Sequence, residues 1–236
     1  MKSFNLPQPV TDTINNFYDD YMKIDQDGNT RDMRLGSGCP RREECFILAD
    51  LYLQEKPLKS LDFGLGEGTA CIALASARKH LGLQGKHITL DPFQFTLAKG
   101  IGLNELKKYE LTDYVEFLEE KSEEFLYSEF HKNHKYDFVF VDGAHDIGHK
   151  VVDAFWIDQI LNSGGLIVFH DSLFFSTSVA VRYLVEQKSY IILDVNVDPT
   201  WKSWSRALRH TPRLGKDFCF KYVPKMGKAV TALRKP

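Results

Sequence analysis

From Ser60 onward the sequence alternates short β-branched or apolar runs with longer stretches of helical pattern. The runs are SLDFG (60–64), HITLD (87–91), YVEFL (114–118), DFVFVD (137–142), GLIVFHD (165–171), SYIIL (189–193) and DFCFKYV (217–223). Between the first five lie segments long enough for helices, at 69–81, 93–109 and 148–161, and another helical pattern covers 176–188. Strand–helix alternation of this kind predicts a parallel sheet covered on both faces. DFVFVD and GLIVF are apolar without interruption, as central strands buried on two sides must be. The segment 194–216 shows no obvious helical crossover, so the last pair of strands is expected to be antiparallel. Ahead of Ser60, residues 11–24 carry the spacing of a helix capped by Thr11 or Asp12, and 43–55 that of a second helix ended by Pro57.

The sharpest local signal is Asp62-Phe63-Gly64-Leu65-Gly66-Glu67-Gly68-Thr69, which leaves a predicted strand and enters a predicted helix. Glycines at alternate positions permit a tight turn and let a ligand approach the backbone. The helix start behind them offers unpaired N–H groups and a positive dipole end. Asp91 ends the next strand, where a carboxylate can accept both hydroxyls of a ribose. The spacing is GxGxG, unlike the GxGxxG of dinucleotide sites, and the loop carries two acids, Asp62 and Glu67. Acids repel a pyrophosphate and welcome a cation. The ligand read from these residues is a nucleoside with a positive centre, a description that fits S-adenosylmethionine (SAM).

With those motifs in view, the chain from about Gly38 to Val223 resembles the class I SAM-dependent methyltransferases. LDP, VDGAH and LNSGGLIVFHD, in that order, are especially similar to the small-molecule O-methyltransferases of the catechol and caffeoyl-CoA type. The resemblance implies a Rossmann-like, doubly wound sheet of seven strands, mostly parallel with an antiparallel last strand. It also implies an N-terminal helical extension over 1–42, a SAM-binding domain over 43–224 and a basic tail over 225–236. Asp62, Gly64, Gly66 and Gly68 would cradle the methionine part of SAM, Asp91 the ribose, and Ser122 would contact adenine. Phe93 packs on the adenine ring or in the core.

Asp142 and Asp171 end two predicted buried strands, and ligands of open α/β sheets bind at that edge. Two converging carboxylates need a proton or a cation between them. In catechol-type relatives three such positions bind a metal; here they are Asp142, Asp171 and Ser172, the last a poor ligand. Two readings stay open. Either a divalent ion, Mg²⁺ or Mn²⁺, sits on Asp142 and Asp171, where His145 or His170 completing the set would favour Mn²⁺, Fe²⁺ or Zn²⁺ over Mg²⁺, or Asp142 contacts SAM, Asp171 shapes the loop and no metal is bound. His145 lies three residues past Asp142, where the relatives carry a basic residue, and imidazole suits removal of a hydroxyl proton. Asp153, Trp156 and His149 are read as structural or surface residues.

The formal net charge of −2 is a cancellation. Residues 200–236 carry ten Lys or Arg against one acid, +9, which leaves −11 on the first 199. An acidic body argues against a long nucleic acid, and the fourth run lacks the motif of enzymes that methylate nucleic-acid amines. The acceptor is therefore expected to be a small molecule, between walls at 25–42, 172–178 and 194–210, with Trp201 and Trp204 as a lid. The last stretch, 224–236, reads as a solvated tail. No apolar leader or membrane span is present, and four scattered cysteines suit a reducing compartment, so a cytoplasmic protein is expected. A homodimer is left open. The competing functions are N- or RNA-directed methyl transfer on the same fold, and a SAM- or nucleoside-binding protein without catalysis.

Overall fold

A computed structural model describes residues 4–21, 39–195, 200–227 and 229–236. Its seven strands are β1 (Ser60–Phe63), β2 (His87–Leu90), β3 (Val115–Leu118), β4 (Tyr136–Val141), β5 (Leu161–Phe169), β6 (Ile191–Ile192) and β7 (Thr231–Arg234). They form one mixed sheet in the order β3-β2-β1-β4-β5-β7-β6. β1, β4 and β5 run parallel, as do β2 and β3, while β7 is antiparallel to both of its neighbours. The described residues divide into two compact units, 59–63 with 120–236 and 4–58 with 64–119.

The second unit holds α1 (Gln8–Tyr21), α2 (Arg42–Glu55), α3 (Thr69–Leu81), α4 (Ile101–Lys108), the 3₁₀ turn Thr112–Tyr114, and the β2–β3 pair. Val10, Ile14, Phe17 and Tyr18 recur at helical spacing on α1 and enter one core with Cys45, Ala49, Cys71, Ile72 and Leu106. The helix expected over 11–24 begins earlier, at Gln8. The Pro7 carbonyl accepts the N–H groups of Val10 and Thr11, both at 3.0 Å. Pro9 stands in the first turn, where its missing N–H costs nothing. Thr11 and Asp12 are therefore inside the helix rather than capping it, and residues 22–24 lie outside the described residues. The helix expected over 93–109 is confined to Ile101–Lys108, because Gly100 holds φ +73° at its start. At the start of α2, Glu44 accepts the Arg41 N–H at 2.7 Å through its carboxylate while its own N–H donates to the Arg41 carbonyl at 2.9 Å, and the helix stops at Lys56 in the left-handed region.

The first unit is built on β1, β4, β5, β7 and β6, with α5 (Ser122–His131), α6 (Ile147–Ile160), α7 (Phe175–Lys188), α8 (Thr200–Leu214) and α9 (Lys216–Lys221). Phe138–Val141 and Leu166–Phe169 are buried without interruption, as their unbroken apolar runs require. Two expectations fail here. The run 217–223 is the helix α9, and the antiparallel strand is Thr231–Arg234, inside the stretch read as a solvated tail. Phe218, Cys219 and Val223 are the buried side chains, a helical and not an alternating spacing. Thr231, Ala232 and Leu233 are buried too, because β7 is flanked by strands on both sides. The segment 194–216 also contains a helix, α8, with Pro212 in its last turn. No described helix is long and apolar enough to cross a membrane.

Candidate functional site

In the second unit the glycine loop carries the conformations its sequence demands. Gly64, Gly66 and Gly68 all have positive φ, at +92°, +50° and +91°. The Gly64 N–H donates to the Leu90 carbonyl at 2.7 Å. The Gly66 N–H donates to Asp91 Oδ2 at 2.8 Å, and the Phe93 N–H to Asp91 Oδ1 at 2.8 Å. Asp91 thus fastens the loop as well as facing it, with lone pairs left for further donors. Phe93 is exposed rather than packed in the core. A Cβ on Gly66 would meet nothing within 4 Å among the described residues, whereas one on Gly68 would touch the Gly102 backbone at 3.3 Å. Gly102 is a requirement the sequence reading missed: a Cβ there would lie 2.6 Å from the Gly66 carbonyl oxygen. The G-x-G of KGIGL was its only signal. Glu67 is half-buried, its carboxyl held above the usual range by burial and by Glu105, and its Oε2 has no hydrogen-bond partner among the described residues. An anion would be unwelcome beside it and a cation would be stabilised.

In the first unit, Asp62 sits within β1 and is buried, paired in register with Phe140. Asp142 follows β4, its N–H donating to the Phe63 carbonyl at 3.2 Å. His170 and Asp171 follow β5. The parallel pairing of β4 with β5 brings these ends together, as expected. His170 Nδ1 is 2.9 Å from Asp142 Oδ1 and 3.6 Å from Asp171 Oδ2, and His145 Nδ1 is 3.9 Å from the same Asp171 oxygen. Asp171 is held at φ +50°, a left-handed conformation that costs energy for a residue with a side chain. Burial pushes the Asp142 carboxyl up, against His170, Lys150 and His145, which favour its ionised form.

Ser122 opens α5 and its hydroxyl donates to Asp153 Oδ1 at 2.7 Å. Asp146 caps α6, accepting the His149 N–H at 3.1 Å, and His149 is an exposed helix-start residue. Ser172, the third expected metal position, is buried, and its hydroxyl donates to the Ala229 carbonyl at 3.1 Å. Asp142, His170 and Asp171 have donor atoms within 4.8 Å of one another, a spacing that could hold an ion.

An open cavity of about 520 Å³ is lined by His145, Asp146, Phe174, Phe175, Ser176 and Arg213 among others. That volume is in the range of small-ligand pockets. The His145 ring meets Phe174 edge-on at 5.9 Å, and the Arg213 guanidinium stands over Phe175 at 5.4 Å. Of the stretch 172–178, residues Leu173–Ser176 line this cavity. Trp201 and Trp204 are exposed and do not line this cavity, where Arg213 of α8 stands instead. Of the other expected walls, 25–38 and 196–199 lie outside the described residues.

Comparison with known proteins agrees with the resemblance drawn from the sequence. Residues 61–172 match a family described as a methyltransferase domain. The chain shares the fold of a Podospora anserina methyltransferase solved with S-adenosylhomocysteine (SAH), at 15% identity and a TM-score of 0.60, covering 100% of this chain and 91% of that one. It is similar to an O-methyltransferase from Bacillus cereus in complex with SAH, at 14% identity and a TM-score of 0.59, covering 98% and 93%. It is also similar to a Streptomyces achromogenes O-methyltransferase involved in tomaymycin synthesis, in complex with SAM, at 12% identity and a TM-score of 0.61, covering 99% and 92%. No curated protein sequence matches it significantly.

Proposed function

We propose that this chain, built on the fold of the class I methyltransferases, transfers the methyl group of SAM to a hydroxyl oxygen of a small-molecule acceptor. The observation that carries the reading is the Gly64–Gly68 loop, fastened through Gly66 to Asp91, with open space at Gly66 and an unpartnered oxygen on Glu67. Structural neighbours with the same fold hold SAM or SAH. In this reading Asp62, Gly64, Gly66 and Gly68 receive the methionine part, Asp91 the ribose and Ser122 the adenine, while Asp142 faces the cofactor.

SAM supplies a methyl group on a sulfonium, ready for in-line displacement. The acceptor oxygen forms the new C–O bond as the S–C bond breaks, and SAH leaves. What the chain adds is position and a place for the proton. His145 opens on the cavity with Phe174 and Phe175, and its Nδ1 is turned toward Asp171. Its Nε2 is then the atom that takes the hydroxyl proton, and Asp171 stabilises the imidazolium formed. Arg213, over Phe175 in the same cavity, favours an acceptor that carries an aromatic ring and a negative group. The acceptor is accordingly a hydroxylated small molecule and not a long nucleic acid, with N-methyl transfer as the rival outcome. A panel of phenols and aromatic hydroxy acids, assayed for SAH release, tests this. His145→Ala is expected to lower turnover by about 10²–10⁴-fold while SAH binding is unchanged. Full turnover in that variant would remove His145 as the base.

A further inference from the structure

The basic segment carries charge and apolar surface that the cavity does not use. Trp201, Trp204 and Leu208 recur at helical spacing on α8 and share one stripe, while Ser203, Arg206, Ala207 and Leu214 of the same helix are buried. The stripe faces outward: Trp201 is 68% exposed, Leu208 62% and Trp204 44%. The Trp204 ring lies 6.2 Å from that of Phe220 on α9, which is exposed too, so the apolar surface runs across both helices. Cations border it. Lys202 and Arg209 each follow a residue of the stripe and lie along one edge, and Lys216 stands one turn before Phe220 on α9. All three are exposed, and the Lys202 ammonium is 5.6 Å from the centre of the Trp201 ring. Residues 200–225 hold seven Lys or Arg against a single acid, Asp217. Lys202, Arg209, Lys216, Lys221 and Lys225 make no ion pair among the described residues.

A contiguous exposed apolar patch with a polar rim marks an interaction surface. Indole rings and a leucine bordered by Lys and Arg are what settles at a lipid–water interface, the rings among the headgroups and the cations on their phosphates. Lysine is depleted from surfaces that bind proteins, and the −11 on the first 199 residues disfavours a long polyanion. Contact of this kind needs one helix face and no spanning segment. We propose that the outer face of α8 and α9 docks on an anionic lipid bilayer. Trp201, Trp204, Leu208 and Phe220 enter the headgroup layer, and Lys202, Arg209 and Lys216 meet the lipid phosphates. Neither SAM nor an acceptor enters this inference, so it stands apart from the methyl-transfer reading.

Co-sedimentation of the full chain with vesicles gives the test. Wild type is expected to pellet with phosphatidylcholine vesicles containing about one third phosphatidylglycerol, and to stay in solution with phosphatidylcholine alone. Salt at about 0.5 M should release it. The Trp156→Phe protein, whose remaining indoles are Trp201 and Trp204, should shift its emission to shorter wavelength on the anionic vesicles. Trp201→Ser with Leu208→Ser and, separately, Lys202→Glu with Arg209→Glu should each weaken binding by about tenfold or more. Wild-type protein left in solution with the anionic vesicles would overturn the proposal, as would binding that both double variants retain in full. So would a wild type that ignores vesicles and binds a single-stranded RNA, which would assign the face to nucleic acid. The wild-type sedimentation decides the question even where a variant does not fold.

Discussion

Gly66 is the residue at which fold and ligand make different demands. Its φ of +50° lies in the left-handed region, and a Cβ built there meets no atom of the described residues within 4 Å. Gly66→Ala should therefore cost only about 1–2 kcal/mol of backbone strain and leave a folded protein. In the proposed function the added methyl group would stand where SAM approaches the backbone, so SAH affinity is expected to fall by about tenfold or more in a calorimetric titration. An unchanged affinity would detach the loop from the cofactor. Asp153 offers a test by pH. Burial pushes its carboxyl up to about 6, against the Ser122 hydroxyl and Lys150, which favour the ionised form. The native state then holds this proton more tightly than the unfolded chain, whose pKa is about 3.9. Stability from this group is greatest below the unfolded value and is lost as pH rises through the folded one, a penalty of about 1–3 kcal/mol at neutral pH. Asp153→Asn keeps an acceptor for Ser122 and removes that dependence. In thermal melts it should gain on wild type as pH rises from about 4 to about 7. A pH-independent difference between the two would contradict the burial argument.

Among the elements, β7 carries the sharpest consequence. It pairs with β5 through four residues and with β6 through two, so the chain's last residues close the sheet from within. Deleting 231–236 is expected to abolish cooperative unfolding and drive the protein into aggregates, read by near-ultraviolet dichroism and size-exclusion chromatography. A solvated tail could be removed at no cost. The deletion thus separates the two readings of this segment. Why it was misread is physical. DFCFKYV shows aromatic alternation and resembles a strand, but its buried positions follow helical spacing. TALR has only two apolar residues, and its burial comes from strands contributed far away in sequence. The elements that were legible, β1 with its glycine loop, α3, β4 and β5, carry their signal locally as turn glycines and unbroken apolar runs. The positive-φ turn at Gly64, Gly66 and Gly68 could be read for that reason. The approach of Gly102 to Gly66, the Arg213 wall and the burial of Lys150 could not, since each depends on what a distant segment places opposite it.

For the whole molecule, the charge asymmetry takes on a location. The +9 segment is not a free basic end: it supplies α8, α9 and the strand β7. Arg206 is buried with its guanidinium donating to the Met226 carbonyl at 3.3 Å, while Arg213 reaches the cavity beside His145. Part of that charge therefore holds the fold, and part, in the proposed function, offers an anionic acceptor a partner. The account as a whole stands on one ligand. Isothermal titration of SAH into the full chain tests it most directly. The account predicts one site per chain with micromolar affinity, weakened by Gly66→Ala and lost in Asp91→Ala with Gly66→Val. Absence of binding by the folded wild-type protein, or binding that survives the double substitution, would contradict it.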